Sequence, residues 1–168
     1  HAPEYAENSQ CQLTAWYDAL PERAQAMAKE FGGAAYDSVD ALLKSGVDAV
    51  SVCVANADHA AVTIQALEAG CHVLCEKPMA TTLEDCLRMK AAAEKSGKRL
   101  LIGHNQRLAR AHVEARRRIE NGDIGRVLSF HTMFGHPGPE GWTGQQNSWF
   151  FDKKRAAFGA MAGLGIHK

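Results

Sequence analysis

The sequence predicts an α/β fold in which a doubly wound parallel sheet precedes the start of a second α/β domain with an open, mostly antiparallel sheet. Three observations predict it. Short apolar runs and amphipathic stretches alternate without exception from Cys11 to Arg107, the pattern of strands joined by crossover helices. Polar residues fall just after the strands, at Asp18, Asn56, Lys77 and Asn105, and right-handed crossovers place such strand ends along one rim of the sheet. Beyond Arg107 the pattern changes, and Arg126 to Phe134 alternates with period two, as a strand of an antiparallel or mixed sheet does.

Taken in order, Cys11 to Asp18 reads as a strand ending in an acid, and Leu20-Pro21-Glu22 opens a helix with proline in its first turn. Ala24, Met27, Ala28 and Phe31 give that helix a core face, and Gly32-Gly33 ends it. Ser38 to Lys44 is a second, short helix that stops near Gly46. Asp48 to Ala55 is nearly continuous in apolar residues, the composition of a strand buried on both faces. Asn56-Ala57-Asp58 caps a helix that carries Val62, Ile64 and Leu67 and closes at Gly70. A further strand runs through Val73 and Leu74 into Glu76-Lys77-Pro78, and Thr81 and Glu84 have the spacing of a capping box for the helix to Ser96. Arg99 to His104 is the next strand. Ala111 to Asn121 is a helix with a solvated arginine-rich side, Gly135 to Asn147 is a loop punctuated by glycine and proline, and Phe158 to Lys168 is helical or tightly turned.

Lys77 sits where a strand hands over to a helix, because Pro78 excludes the helical region for the residue before it. In an open α/β sheet that edge is where ligands bind. An isolated lysine at a strand end is ordinarily solvated; beside a cofactor it handles a proton or orients a hydroxyl.

Composition narrows the classes. The 168 residues carry 19 basic and 19 acidic side chains, so no charge excess favours nucleic acid or an anionic membrane. The longest strongly apolar run, Val47 to Ala55, is too short to span a bilayer. Five cysteines lie among apolar residues without a paired CxxC motif, which reads as reduced core thiols of a cytoplasmic protein. Cys71, His72 and Cys75 have a spacing that invites a metal, but a strand throws neighbouring side chains to opposite faces, so no metal site is assigned.

A dinucleotide-binding (Rossmann-like) domain opens with a strand and a glycine-rich turn, followed about 20 residues later by an acid for the ribose hydroxyls. Asp18 fits that acid, or else it only caps the helix at Pro21. The glycine motif is absent, and counting back from Asp18 places it ahead of His1. A carboxylate at Asp18, with Ala19 and Leu20 beside it and no arginine, favours NAD over NADP. The division expected is therefore 1–107 for the dinucleotide-binding domain, incomplete at its N-terminus, and 108–168 for the truncated start of a substrate and oligomerisation domain.

Five stretches in this order carry a family resemblance. They are Asp48-Ala49-Val50 through Asn56 and His59, Ala69 through Glu76-Lys77-Pro78, Gly103-His104-Asn105-Gln106-Arg107, Asn121 through Gly125-Arg126-Val127, and Gly159 to His167. Together they resemble the Gfo/Idh/MocA oxidoreductases. The resemblance implies NAD(P)-dependent hydride transfer at a secondary alcohol or carbonyl of a sugar or polyol, and a homo-oligomer assembled through the C-terminal domain. It implies Lys77 as the residue that holds the reacting hydroxyl and assists proton transfer, and His167 as the general acid/base. Ala55, Asn56, His59, Glu76, Lys77, Pro78, Asn105 and Arg107 are implied, with Asp18, to border the cofactor. Trp142 and Trp149 either stack on a sugar face or pack beneath the loop. The chain departs from the family's DxGxH pattern, with Gly163 where the aspartate stands. Restoring the acid (Gly163→Asp) is expected to raise turnover if the site is catalytic. Two other readings stay open: an NAD-dependent glycoside hydrolase resembling the same family, and a non-catalytic nucleotide-binding paralogue.

Overall fold

The computed structural model describes residues 1–135, 138–143, 149–159 and 163–167. Two compact units divide the chain. One comprises His1–Val52, Ala61–Leu74 and Leu87–Leu101; the other comprises Cys53–Ala60, Cys75–Cys86 and Ile102–Lys168. No described helix is long and apolar enough to cross a membrane.

The first unit begins with α1 (Ala2–Glu7), a six-residue helix with no apolar periodicity to announce it. Strand β1 (Ala15–Trp16) is far shorter than the expected run from Cys11. Helix α2 (Pro21–Phe31) starts on its proline and buries Ala24. Strand β2 (Ala34–Ala35) pairs in parallel with β1, with Ala15 opposite Ala34 and Trp16 opposite Ala35. The turn between α2 and β2 needs its two glycines. Gly32 and Gly33 have φ of 81° and 85°, in the left-handed region where a Cβ is strained. The Trp16 indole N–H donates to the Gly32 carbonyl at 2.7 Å, which fixes the turn to β1. Helix α3 (Val39–Lys44) is capped by Ser38, whose hydroxyl accepts the Ala41 N–H at 3.1 Å, and Gly46 ends the turn after it at φ 87°.

Strand β3 (Ala49–Val52), helix α4 (His59–Glu68), strand β4 (His72–Cys75), helix α5 (Leu83–Ser96) and strand β5 (Leu100–Ile102) follow, and the strands form one sheet in the order β3-β4-β5. Val73 donates to Arg99 and Gly103 donates to Cys75; both partners advance along the chain together, which only parallel strands allow. Leu67 on α4 and Met89 on α5 are buried, as are Val52 on β3, Val73 on β4 and Cys71 just before β4. Each such buried aliphatic side chain contributes about 1.5–3 kcal/mol.

Four expectations are corrected here. Strand β3 is not buried on both faces: Ala49 is exposed, Val50 and Ser51 are half-buried, and only Val52 is buried. The cap of α5 lies one residue later than Thr81 and Glu84. Thr82 Oγ1 accepts the Asp85 N–H at 3.1 Å and donates to its carboxylate at 2.9 Å, because the chain leaving Pro78 turns helical only at Leu83. The cysteines are not all core residues, since Cys11 and Cys53 are exposed while Cys71 and Cys75 are buried. Burial pushes the Cys71 thiol above its ordinary value, and it donates to the Val47 carbonyl at 3.2 Å. The His72 Nδ1 accepts the Arg99 N–H at 3.0 Å.

The fourth correction concerns Arg126–Phe134, which forms no strand. Leu128, Phe130 and Met133 are all exposed, Met133 at 94%. An alternating segment becomes a strand only when a neighbour supplies its ladder and covers one face, and no described residue does so.

The second unit carries 3-10 turns at Asn56–Asp58, Asn105–Leu108, Trp149–Phe151 and Gly165–His167. Its helices are α6 (Arg110–Glu120), α7 (Pro139–Thr143) and α8 (Lys153–Ala156). The arginine side of α6 is solvated, with Arg116 on Glu120 and both Arg117 and Arg118 on Glu114. Such exposed pairs contribute about 0–1 kcal/mol each. The expected loop from Gly135 to Asn147 contains α7, and its residues 136–137 and 144–147 lie outside the described residues, as do Ala160, Met161, Ala162 and Lys168.

One buried group carries a stability prediction. Thr63 Oγ1, on α4 in the first unit, is buried without a hydrogen-bond partner among the described residues. An orphaned buried hydroxyl costs about 1–3 kcal/mol. Thr63→Val keeps the shape and removes the orphan, so it is expected to raise the urea midpoint of unfolding; an unchanged or lower midpoint would show that the hydroxyl is satisfied.

Candidate functional site

The site is built where β4 ends. Cys75 is buried, and the next residues, Glu76-Lys77-Pro78, leave the strand through a cis Lys77–Pro78 peptide bond. Glu76 turns back on the backbone: its Oε2 accepts the Lys77 N–H at 3.0 Å. Its Oε1 occupies the space a side chain at residue 103 would need, 3.0 Å from the position of a Cβ on Gly103. Glycine at 103 therefore admits the carboxylate.

Two buried polar residues pin the loops around the lysine. The His59 ring is 1% exposed and lies between two carbonyls, with Nδ1 2.7 Å from Pro78 O and Nε2 3.2 Å from Val54 O. Carbonyls only accept, so the shorter contact assigns an N–H to Nδ1. This ring ties the segment after β3 to the proline that follows Lys77. Asn56, expected with Ala57 and Asp58 to cap α4, opens the 3-10 turn that runs into that helix, and Ala55 holds the N-cap position of the turn without a side-chain bond. The Asn56 amide instead donates to the Ala156 carbonyl at 2.8 Å, 100 residues away in the chain.

Lys77 reaches the other side of the same unit. Its Nζ donates to the Gly163 carbonyl at 2.8 Å. Burial holds the ammonium below the ordinary lysine value, and the nearby Glu76 charge opposes that shift without cancelling it. A cavity of about 400 Å³ opens here. Asn56, His59, Glu76, Lys77 and Pro78 line it together with Trp149, Phe150, Phe151 and Pro139, and Gly159, Gly163 and Leu164 close it. A volume of this size with mostly apolar walls and a few polar groups is typical of a small-molecule site.

The residues singled out in the sequence are placed as follows. Asn56, His59, Glu76, Lys77, Pro78, Trp149 and Gly163 meet at this cavity. Trp149 also stacks on Phe150, with ring centroids 4.1 Å apart at 20°, so one face of the indole is already taken. Ala55 is buried beside Asn56 but is not among the described lining residues. Asn105 and Arg107 are exposed in their 3-10 turn, and half-buried His167 lies in the turn Gly165–His167, which packs against theirs. None of these three is among the described lining residues. The Trp142 side chain lies outside the described residues. Asp18 belongs to the first unit, where its Oδ1 accepts the Leu20 N–H at 2.9 Å. Reading the sequence missed Cys53, Val54, Pro139, Phe150, Phe151, Ala156, Gly159 and Leu164. The consecutive aromatics Trp149-Phe150-Phe151 were the available signal for part of that wall.

Comparison with known proteins gives the same frame. Residues 1–104 match the oxidoreductase family with an NAD-binding Rossmann fold, and residues 112–168 match the GFO/IDH/MocA C-terminal domain. D-glucoside 3-dehydrogenase of Escherichia coli K12 is 35% identical over 170 residues, covering 99% of this chain and 47% of the relative. Among solved structures, an aldose-aldose oxidoreductase from Caulobacter crescentus complexed with glycerol superposes with a TM-score of 0.78 at 29% identity. That match covers 96% of this chain and 48% of the other. A 3-ketoreductase from Actinomadura kijaniata, in complex with NADP, superposes with a TM-score of 0.67 at 30% identity, covering 72% and 38%. The chain thus spans about half the length of the curated relatives it matches. With both family segments matched in order and the parallel α/β sheet in place, the chain belongs to the Gfo/Idh/MocA family of oxidoreductases.

Proposed function

We propose that the protein is an NAD-dependent dehydrogenase acting on a secondary alcohol of a sugar or polyol-like ring, with carbonyl reduction as its reverse. The observation that carries this reading is Lys77: a half-buried ammonium, held by the Gly163 carbonyl on the wall of a mostly apolar cavity. The cavity fits a nicotinamide and a small hydroxylated ring in its size and in its flat aromatic walls. A bound nicotinamide supplies the hydride acceptor for the carbinol carbon. Lys77 is assigned to hold the reacting hydroxyl through its remaining N–H donors and to assist loss of the hydroxyl proton. His167, placed beside the Asn105–Leu108 turn, is assigned as general acid/base. Asn56 and His59 fix the loops that aim Lys77. Residues 1–107 and 108–168 are assigned as cofactor domain and opening of the substrate domain, a division supported by the two family segments.

Steady formation of NADH, followed by absorbance, over a panel of sugars and polyols tests the reading. No turnover on any member, with NAD still bound, would favour a non-catalytic nucleotide-binding role. The cofactor preference is argued from Asp18; the 3-ketoreductase from Actinomadura kijaniata is in complex with NADP. Asp18→Asn keeps the oxygen that accepts the Leu20 N–H and removes the charge that repels a 2′-phosphate. The ratio of kcat/KM for NAD over NADP is expected to fall about tenfold or more, one factor of ten being about 1.4 kcal/mol. An unchanged ratio would leave Asp18 as the turn residue alone.

A further inference from the structure

Lys77 is the only lysine or arginine among the described residues of the cavity wall, and its described side-chain partner is a neutral oxygen, the Gly163 carbonyl at 2.8 Å. An ammonium has three N–H donors and no acceptor, so a ligand entering the cavity meets donors that carry a positive charge. The carboxylate on the same wall is turned elsewhere: Glu76 Oε2 takes the Lys77 backbone N–H at 3.0 Å, and Oε1 lies against Gly103. Position 163 is where a second acid would balance the ammonium. Backbone and space both permit one, because Gly163 lies outside the left-handed region and a Cβ there meets no atom of the described residues within 4 Å. The chain nevertheless leaves that position without a side chain. The result is open volume beside a half-buried cation, walled by Leu164, Trp149 and Phe150.

We propose that the substrate is a hydroxylated ring bearing a carboxylate close to the reacting hydroxyl, that this carboxylate occupies the space beside Gly163 and pairs with Lys77, and that glycine at 163 sets the specificity. The proposal rests on the dehydrogenase reading above and names its substrate class. One N–H of the ammonium stays on the Gly163 carbonyl, one meets the hydroxyl and one meets the carboxylate. The substrate then supplies a second negative charge beside the ammonium, the Glu76 carboxylate being engaged by the Lys77 backbone N–H at 3.0 Å. A side-chain acid at 163 would compete for the same volume and repel the same group. A neutral polyol gains from such an acid, since it brings no charge of its own.

The test compares D-glucuronate with D-glucose, both with NAD, in the wild type, Gly163→Asp and Gly163→Asn. Wild type is expected to prefer glucuronate in kcat/KM by about tenfold or more, the scale of one charge-assisted hydrogen bond. Gly163→Asp is expected to abolish or invert that preference and to raise turnover of glucose. Gly163→Asn, of the same bulk without the charge, is expected to weaken glucuronate use by crowding but to lose less of the preference than Gly163→Asp. Equal or better use of glucose by the wild type, or equal loss in the Asn and Asp variants, would overturn the proposal. If neither sugar yields NADH, the dehydrogenase reading fails on this pair, and calorimetric binding to the NAD-loaded protein decides the inference separately. Tighter glucuronate binding that is weakened more by Gly163→Asp than by Gly163→Asn upholds it; equal binding, or none, sinks it.

Discussion

Lys77→Met is expected to lower kcat/KM for NAD-dependent oxidation by about 10²- to 10⁴-fold, the usual contribution of a positioned acid–base group. The geometry gives the reason. Lys77 Nζ is fixed on the Gly163 carbonyl at 2.8 Å and faces the cavity, so methionine keeps the length of the side chain and removes every donor. Unfolding is a poor alternative explanation for the loss, and the sign of the lysine shift shows why. Its folded-state value lies below the ordinary one because burial disfavours the ammonium. The unfolded chain therefore binds more protons at this group, and stability rises with pH from the lowered value up to the ordinary lysine value. Below the lowered value the cost of burying the charge is present in full. Methionine removes that cost, so the variant is expected to unfold at an equal or higher midpoint near neutral pH. A variant that keeps wild-type turnover would remove Lys77 from the chemistry.

Gly33→Ala is expected to destabilise the first unit by on the order of 3 kcal/mol, combining a strained left-handed residue with an overpacked contact. Gly33 has φ 85°, and a Cβ there would stand 2.6 Å from both the carbonyl carbon and the carbonyl oxygen of Thr14. Those atoms are backbone and cannot rotate away. The same Thr14 oxygen accepts the Ala34 N–H at 2.9 Å, so moving it breaks the start of the β1–β2 pairing. Gly46→Ala is the control, with φ 87° and no atom of the described residues within 4 Å of its Cβ. It should lose only the conformational part, about 1–2 kcal/mol. The two variants compared by urea unfolding with unchanged slopes separate the terms. Equal losses would mean that the Thr14 contact relaxes freely.

Much of the fold was legible because its signals are local. Pro21 opens α2, Ser38 caps α3, and glycines at 32, 46 and 70 close their helices at positive φ. Apolar runs placed β3, β4 and β5 within a few residues. What failed is what depends on neighbours. The segment Arg126–Phe134 has the alternation of a strand, yet pairing needs a partner that no local pattern contains. Thr82 rather than Thr81 caps α5 because the turn after Pro78 decides where the helix begins. The site divides the same way. Lys77 was legible from Pro78 and the strand before it, whereas its bond to Gly163 spans 86 residues and has no local signature. The Asn56–Ala156 bond is likewise invisible to any window of sequence.

The cavity wall is drawn from three stretches of one unit, 53–59, 76–78 and 139–164, separated along the chain by residues of the other unit and by α6. Consider recombination between two related genes. A crossover anywhere between codons 79 and 138 gives a chimera whose lysine comes from one parent and whose residue 163 comes from the other. The ammonium and the group set against it are then inherited separately, and selection on the offspring acts on the pair. Glycine at 163 is in that sense a trait of two distant stretches of the site at once, and a library shuffled across that interval would show which partners of Lys77 are tolerated.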